Sequence, residues 1–123
     1  MKRYVVILLL IMLIGILYAD VNSSKSKLFV SVSGTDLANL WHGYQKYIKD
    51  VIAIEYFDDA YEYIGYIKGT TDVLQIGYPE EVTVFQLCVI VGEFLDNNPE
   101  SWHYAAFTII EFAIREAFNL RRE

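Results

Sequence analysis

The sequence is poor in four things: cysteine, proline, histidine and positive charge. It holds one cysteine, Cys88, two prolines, Pro79 and Pro99, and two histidines, His42 and His103, in 123 residues. One thiol excludes an intrachain disulfide, so packing must do what bridges do in many small exported domains. Two histidines on separate segments supply too few ligands for a zinc centre or a catalytic constellation. They read as exposed or hydrogen-bonded helix residues. Cys88, between Leu87 and Val89 on an apolar face, reads as a buried structural thiol, because a nucleophilic cysteine needs an accessible, electropositive setting. Ten Lys and Arg against sixteen Asp and Glu give a net charge of −6. No basic patch is available to track a phosphate backbone, which makes nucleic acid a poor partner. The acidity suits a basic protein partner or simply solubility. The carboxylates Glu55, Asp58, Asp59 and Glu62 could hold a cation, but such a run is more often a solvated face at a helix N-terminus, where acids favour the dipole. No catalytic, metal or cofactor residue is assigned, and the chain reads as a non-enzyme.

What is present begins with an export signal in outline. Lys2 and Arg3 form a short positive region, Val5 to Leu17 is apolar apart from Gly15, and Tyr18-Ala19-Asp20 offers a small residue for cleavage. The alternative is an uncleaved membrane anchor, although the apolar run falls short of the roughly 20 residues a span needs. Either way the remainder is exported. Cleavage after Ala19 removes two bases and leaves eight against sixteen acids, a net charge of −8. What remains, with 54% apolar residues over the whole chain and ten tyrosines, suffices to fill one core. Residues 20–35 read as a flexible lead-in, extended near Phe29 to Ser33.

From Asp36 the apolar period becomes helical. Leu37, Leu40, Trp41, Tyr44, Ile48 and Val51 recur at three and four residues, with Thr35 as N-cap, and predict a first helix into the mid-fifties. Asp59 and Glu62 have the spacing of a capping box and predict a second helix from about Ala60 to Gln75. Gly77 and Pro79 break it. Thr83 and Gln86 form another capping box, opening a third helix over Val84 to Leu95. Apolar residues cover almost its whole circumference, so it must be buried on more than one side or lie at a subunit interface. Asn98 with Pro99 then predicts a fourth helix. Its core stripe would be Trp102, Ala106, Ile109, Ala113, Ala117 and Leu120, with Glu111 and Arg115 paired outside and Phe107, Ile114 and Phe118 to one side. The expectation is an all-α compact bundle of four to five helices over residues 36–123.

The stretch "YIGYIKGTTD" superficially resembles a phosphate-binding loop. Lys68 precedes Gly69 rather than following a glycine-rich turn, and the segment lies inside a helix whose amides are already bonded. Gly65 and Gly69 instead share one helix face, and each costs roughly 1 kcal/mol of helix propensity. Two such losses predict a close approach by another helix or a bulky ring.

The order of "YIGYIKGTTD", "YPEEVTVFQL" and "FLDNNPESWHYAAFTIIEFAIREAF" resembles the Tai-type (Rap/Tai) immunity proteins of type VI secretion, over about Asp36 to Leu120. Members read as a signal peptide, a G-Y-hydrophobic-x-G segment, P-x-x-V-T-x-x-Q-L, an L-x-x-x-P turn, H-x-P-A and a terminal helix. The resemblance implies a small helical periplasmic protein, often a homodimer, that binds and sterically blocks a peptidoglycan amidase effector. It differs here in two respects. The family usually carries cysteines at the positions of Trp41, Tyr63, Gly77 and Leu120, and the proline of H-x-P-A is Ala105.

For toxin contacts the loops are favoured, since recognition residues concentrate on loops of a rigid scaffold. Those on the turn between helices two and three are Tyr78, Glu80 and Glu81. The next turn offers Asn97, Asn98, Glu100 and His103. Packing or dimer residues are Gly65, Gly69, Val89, Phe107, Ile114 and Phe118. The rival reading is a periplasmic helical holdase or adaptor without a dedicated toxin.

Overall fold

A computed structural model describes residues 2–27, 32–50 and 53–121. The order is α1 (Lys2–Lys27), α2 (Gly34–Lys49), a 3₁₀ turn (Ile54–Tyr56), α3 (Phe57–Leu74), α4 (Val84–Asn97), a second 3₁₀ turn (Pro99–Ser101) and α5 (Ala106–Ala117). The protein is all-α, with no strand among the described residues; the single bridge joins Ser33 to Ala105. The chain divides into two units, residues 1–31 and 32–123. In the first, α1 exposes its apolar side chains from Tyr4 to Ile14 and continues through Tyr18-Ala19-Asp20 to Lys27, so residues 20–27 of the expected lead-in are helical. Among the described residues no helix is long and apolar enough to cross a membrane. Residues 28–31, which hold most of the expected extended stretch, lie outside the described residues, as do Val51, Ile52 and the last two residues of the charged tail.

In the second unit, α2 starts two residues earlier than the Thr35 cap implies. Ser33 is the N-cap: its hydroxyl accepts from the Asp36 amide, and the Asp36 carboxylate accepts from the Ser33 amide at 3.0 Å. The Ser33 hydroxyl also donates to Asp36 Oδ2 at 2.7 Å, and this bond first, then that from the Ser33 amide, holds the Asp36 carboxyl below the usual carboxylate range. The orphan amides of Gly34 and Thr35 are satisfied from outside the helix, by the carbonyls of Tyr104 and Trp102. The helix stops at Lys49 rather than in the fifties, where Asp50 turns extended.

The expected capping box of Asp59 and Glu62 does not form. A 3₁₀ turn runs straight into α3, Tyr56 occupies the cap without a side-chain bond, and Asp58 and Asp59 lie in the first turn. Asp59 packs over Gly43 of α2, where an added Cβ would come within 2.5 Å of its side chain. α3 ends where Gln75 adopts the left-handed conformation (φ 50°, ψ 46°) and its amide closes on Asp72 and Thr71. The Thr83–Gln86 capping box forms as expected, the Thr83 amide donating to Gln86 Oε1 at 2.8 Å.

α4 is the centre of the fold. It packs against α2, α3 and α5, and Leu87, Cys88, Val91, Gly92 and Leu95 are buried. The unit's core adds Leu37, Trp41, Tyr44, Tyr63, Ile67, Ile109, Ile110 and Ile114. Burial on several sides explains why α4 is apolar nearly all round, but Phe85 and Val89 remain exposed.

The fourth predicted helix is two pieces. Pro99 opens only a three-residue 3₁₀ turn, and α5 begins at Ala106 with Ala105 extended as its cap. The intervening backbone is committed elsewhere: Trp102 and Tyr104 carbonyls cap α2, and the Ala106 amide donates to Val32. Trp102 is therefore not part of a helical stripe. Of that stripe Ala106, Ile109 and Ala113 are buried, Leu120 is half-buried and Ala117 is exposed, while Ile110 and Ile114 complete the buried face. The Glu111–Arg115 pair forms at 3.0 Å.

Candidate functional site

The two loops expected to carry recognition lie at opposite ends of α4. A helix of 14 residues is about 21 Å long at 1.5 Å per residue, so the structure does not bring them together. The first loop joins α3 to α4. Buried Ile76 pins it, Tyr78 is half-buried against the core, and Glu80 and Glu81 are exposed. Two tight backbone bonds shape it, Tyr78 amide to Ile76 carbonyl and Val82 amide to Pro79 carbonyl.

The second loop is tied down more heavily. Asn98 is half-buried and serves the fold, its Nδ2 donating to the Phe94 carbonyl at 2.8 Å. The Ser101 hydroxyl donates to the Asn98 carbonyl. Trp102 Nε1 donates to the Leu95 carbonyl at 2.9 Å, covering an orphan acceptor at the end of α4. His103 Nδ1 donates to the Glu100 carbonyl at 2.7 Å and its ring lies 4.1 Å from that of Tyr104. Asn97, Glu100, His103 and Tyr104 are exposed.

Beside this loop sits a network that the sequence reading missed. Trp41 is 4% exposed and its ring lies against Gly92, where any Cβ would overlap the indole. Its Nε1 donates to Asp96 Oδ2 at 3.0 Å, and the other Asp96 oxygen lies 3.7 Å from His42 Nε2. His42 is edge-on to Trp102. Asp96, Glu93, Glu100 and Asp36 are exposed, and neither 33–45 nor 93–105 contains a Lys or Arg. These two stretches thus hold four acids, Asp36, Glu93, Asp96 and Glu100, and no Lys or Arg. A glycine in mid-helix among large apolar neighbours was the one available signal, and it points to a ring only once the partner helix is known.

Under the network the core is aromatic. Trp41, Tyr44 and Tyr63 meet with ring centroids 5.3–5.7 Å apart, an arrangement with its own pairwise attraction beyond burial. The Tyr63 hydroxyl donates to the Cys88 carbonyl at 2.7 Å inside the core. Burial pushes the Tyr63 phenol well above its ordinary value and the Cys88 thiol up to about 12. Cys88 is free and fully buried. Among the described residues no group of three or more His, Cys, Asp or Glu is assembled that could hold a metal ion.

Gly65 and Gly69 do not make the close contact their spacing predicts. Both are exposed, and an added Cβ at either would meet nothing within 4 Å. They floor an open apolar groove of about 460 Å³ between α3 and α5, lined also by Tyr66, Val73 and Phe107. The glycines that do take a close neighbour are Gly34, Gly43 and Gly92. Of the other packing candidates, Val89 and Phe107 are exposed, Phe118 is half-buried, and Ile114 is core and inaccessible to a second subunit.

The fold class is thus an all-α bundle built around α4. Comparison with protein-family models, curated proteins and solved structures finds no match.

Proposed function

We propose that the chain is an exported immunity protein that binds a peptidoglycan amidase toxin and blocks its catalytic cleft sterically. The observation that carries this reading is spatial. The four positions at which the resembled family has cysteines fall into two neighbouring pairs. Trp41 and Tyr63 have ring centroids 5.7 Å apart, and Gly77 and Leu120 line one cleft. That the four positions fall two and two in space supports the resemblance. Burial of two aromatic rings, at roughly 1.5–3 kcal/mol each, replaces much of the typical 2–4 kcal/mol of a bridge. The missing proline fits the same pattern, for Ala105 has φ −63°, the value a proline ring imposes.

The experiment is co-expression with a periplasm-directed amidase toxin encoded beside this gene. Survival with the intact chain and lysis without it is the expected result; undiminished lysis despite normal export overturns the reading for that pair. The exposed apolar residues Val73, Phe85, Val89 and Phe107 favour the holdase as the second reading. Pull-down from periplasm separates the two: one tightly held amidase supports immunity, many unrelated clients support the holdase. Dimerisation belongs to the same proposal, and sedimentation equilibrium at micromolar concentration reads it.

A further inference from the structure

We draw no further inference here: the strongest candidate, the open apolar groove between α3 and α5 floored by Gly65 and Gly69 and flanked by Val73 and Phe107, carries nothing because no feature of the structure shows what covers it.

Discussion

One substitution should have opposite signs at different glycines of this chain. Replacing glycine by alanine in a helix interior gains about 1 kcal/mol from propensity and reduced unfolded-state freedom. At Gly65 and Gly69 a Cβ would meet nothing within 4 Å, so Gly65→Ala and Gly69→Ala should each stabilise by about 0.5–1 kcal/mol. At Gly92 the same methyl group would overlap the six-membered ring of Trp41. That ring cannot simply swing away, because Tyr44 and Tyr63 pack against it and its Nε1 is bonded to Asp96. Overpacking costs typically 1–3 kcal/mol, and displacing the indole from a charged acceptor forfeits about 1.5–3 more. Against the propensity gain of about 1 kcal/mol, Gly92→Ala should destabilise by about 1.5–5 kcal/mol. Urea unfolding followed by far-UV circular dichroism on the chain without its first 19 residues measures all three variants. Trp41→Phe, which shrinks the ring, should relieve part of the Gly92→Ala penalty, so the double variant loses less than the sum of the singles. A Gly92→Ala protein as stable as Gly65→Ala would refute the packing of Trp41 on α4 and with it the α2–α4 geometry.

The remaining predictions concern the core, two helix caps and the proposed partner surface. Because burial lifts the Cys88 thiol to about 12 from 9.0, the folded state holds that proton where the unfolded chain has lost it. This contribution should therefore be full below about pH 9 and be lost as pH rises from there towards 12; Cys88→Ala should flatten the stability–pH curve between about pH 9 and 10, while the raised Tyr63 phenol keeps a fall above about 10. The same burial should leave Cys88 unlabelled by a thiol reagent at pH 8 until denaturant is added, and rapid stoichiometric labelling of the native protein would contradict the core assignment. Tyr63→Phe deletes the hydroxyl bonded to the Cys88 carbonyl and should cost about 0.5–1.5 kcal/mol in the same urea assay. Thr83→Ala removes the α4 capping box and should cost about 1 kcal/mol, whereas Thr35→Ala, off the α2 cap, should cost less than Ser33→Ala. On the immunity reading, since the two candidate loops lie at opposite ends of α4, only one of two charge-changing sets, Glu80→Lys with Glu81→Lys or Asn97→Lys with Glu100→Lys, should abolish protection in co-expression. Loss in both sets with folding intact would mean a surface running the length of α4.

How much was legible follows the range of the interactions involved. α4 is read correctly from its sequence because the Thr83–Gln86 box and the apolar circumference are local, spanning three residues and one helix. The start of α2 was as local, a Ser33–Asp36 box, but Thr35 satisfied the same rule of thumb; the Trp102 and Tyr104 carbonyls that receive the first amides settle the choice. Asp59 and Glu62 illustrate the opposite failure. Their spacing matches a capping box, but the α3 helix begins earlier, and Asp59 is used against Gly43. Pro99 likewise signals a helix start, and one turn does form, but residues 102–106 are drawn into bonds with residues 32–35 and the helix must wait for Ala106.

By itself the sequence determined that this is an all-α chain with an apolar central helix, because hydrophobic period and caps act within a few residues of each other. Tertiary structure alone decided which glycines are obligatory. Gly65 and Gly69 look purposeful by spacing and stand open, whereas Gly92 looks incidental and holds the Trp41 ring from 51 positions away. The same holds for Asp96, an unremarkable acid near a helix end until Trp41 and His42 are brought to it. The physical reason is that a glycine or a carboxylate takes its role from what packs on it, and that neighbour is chosen by the crossing of helices rather than by anything adjacent in the chain.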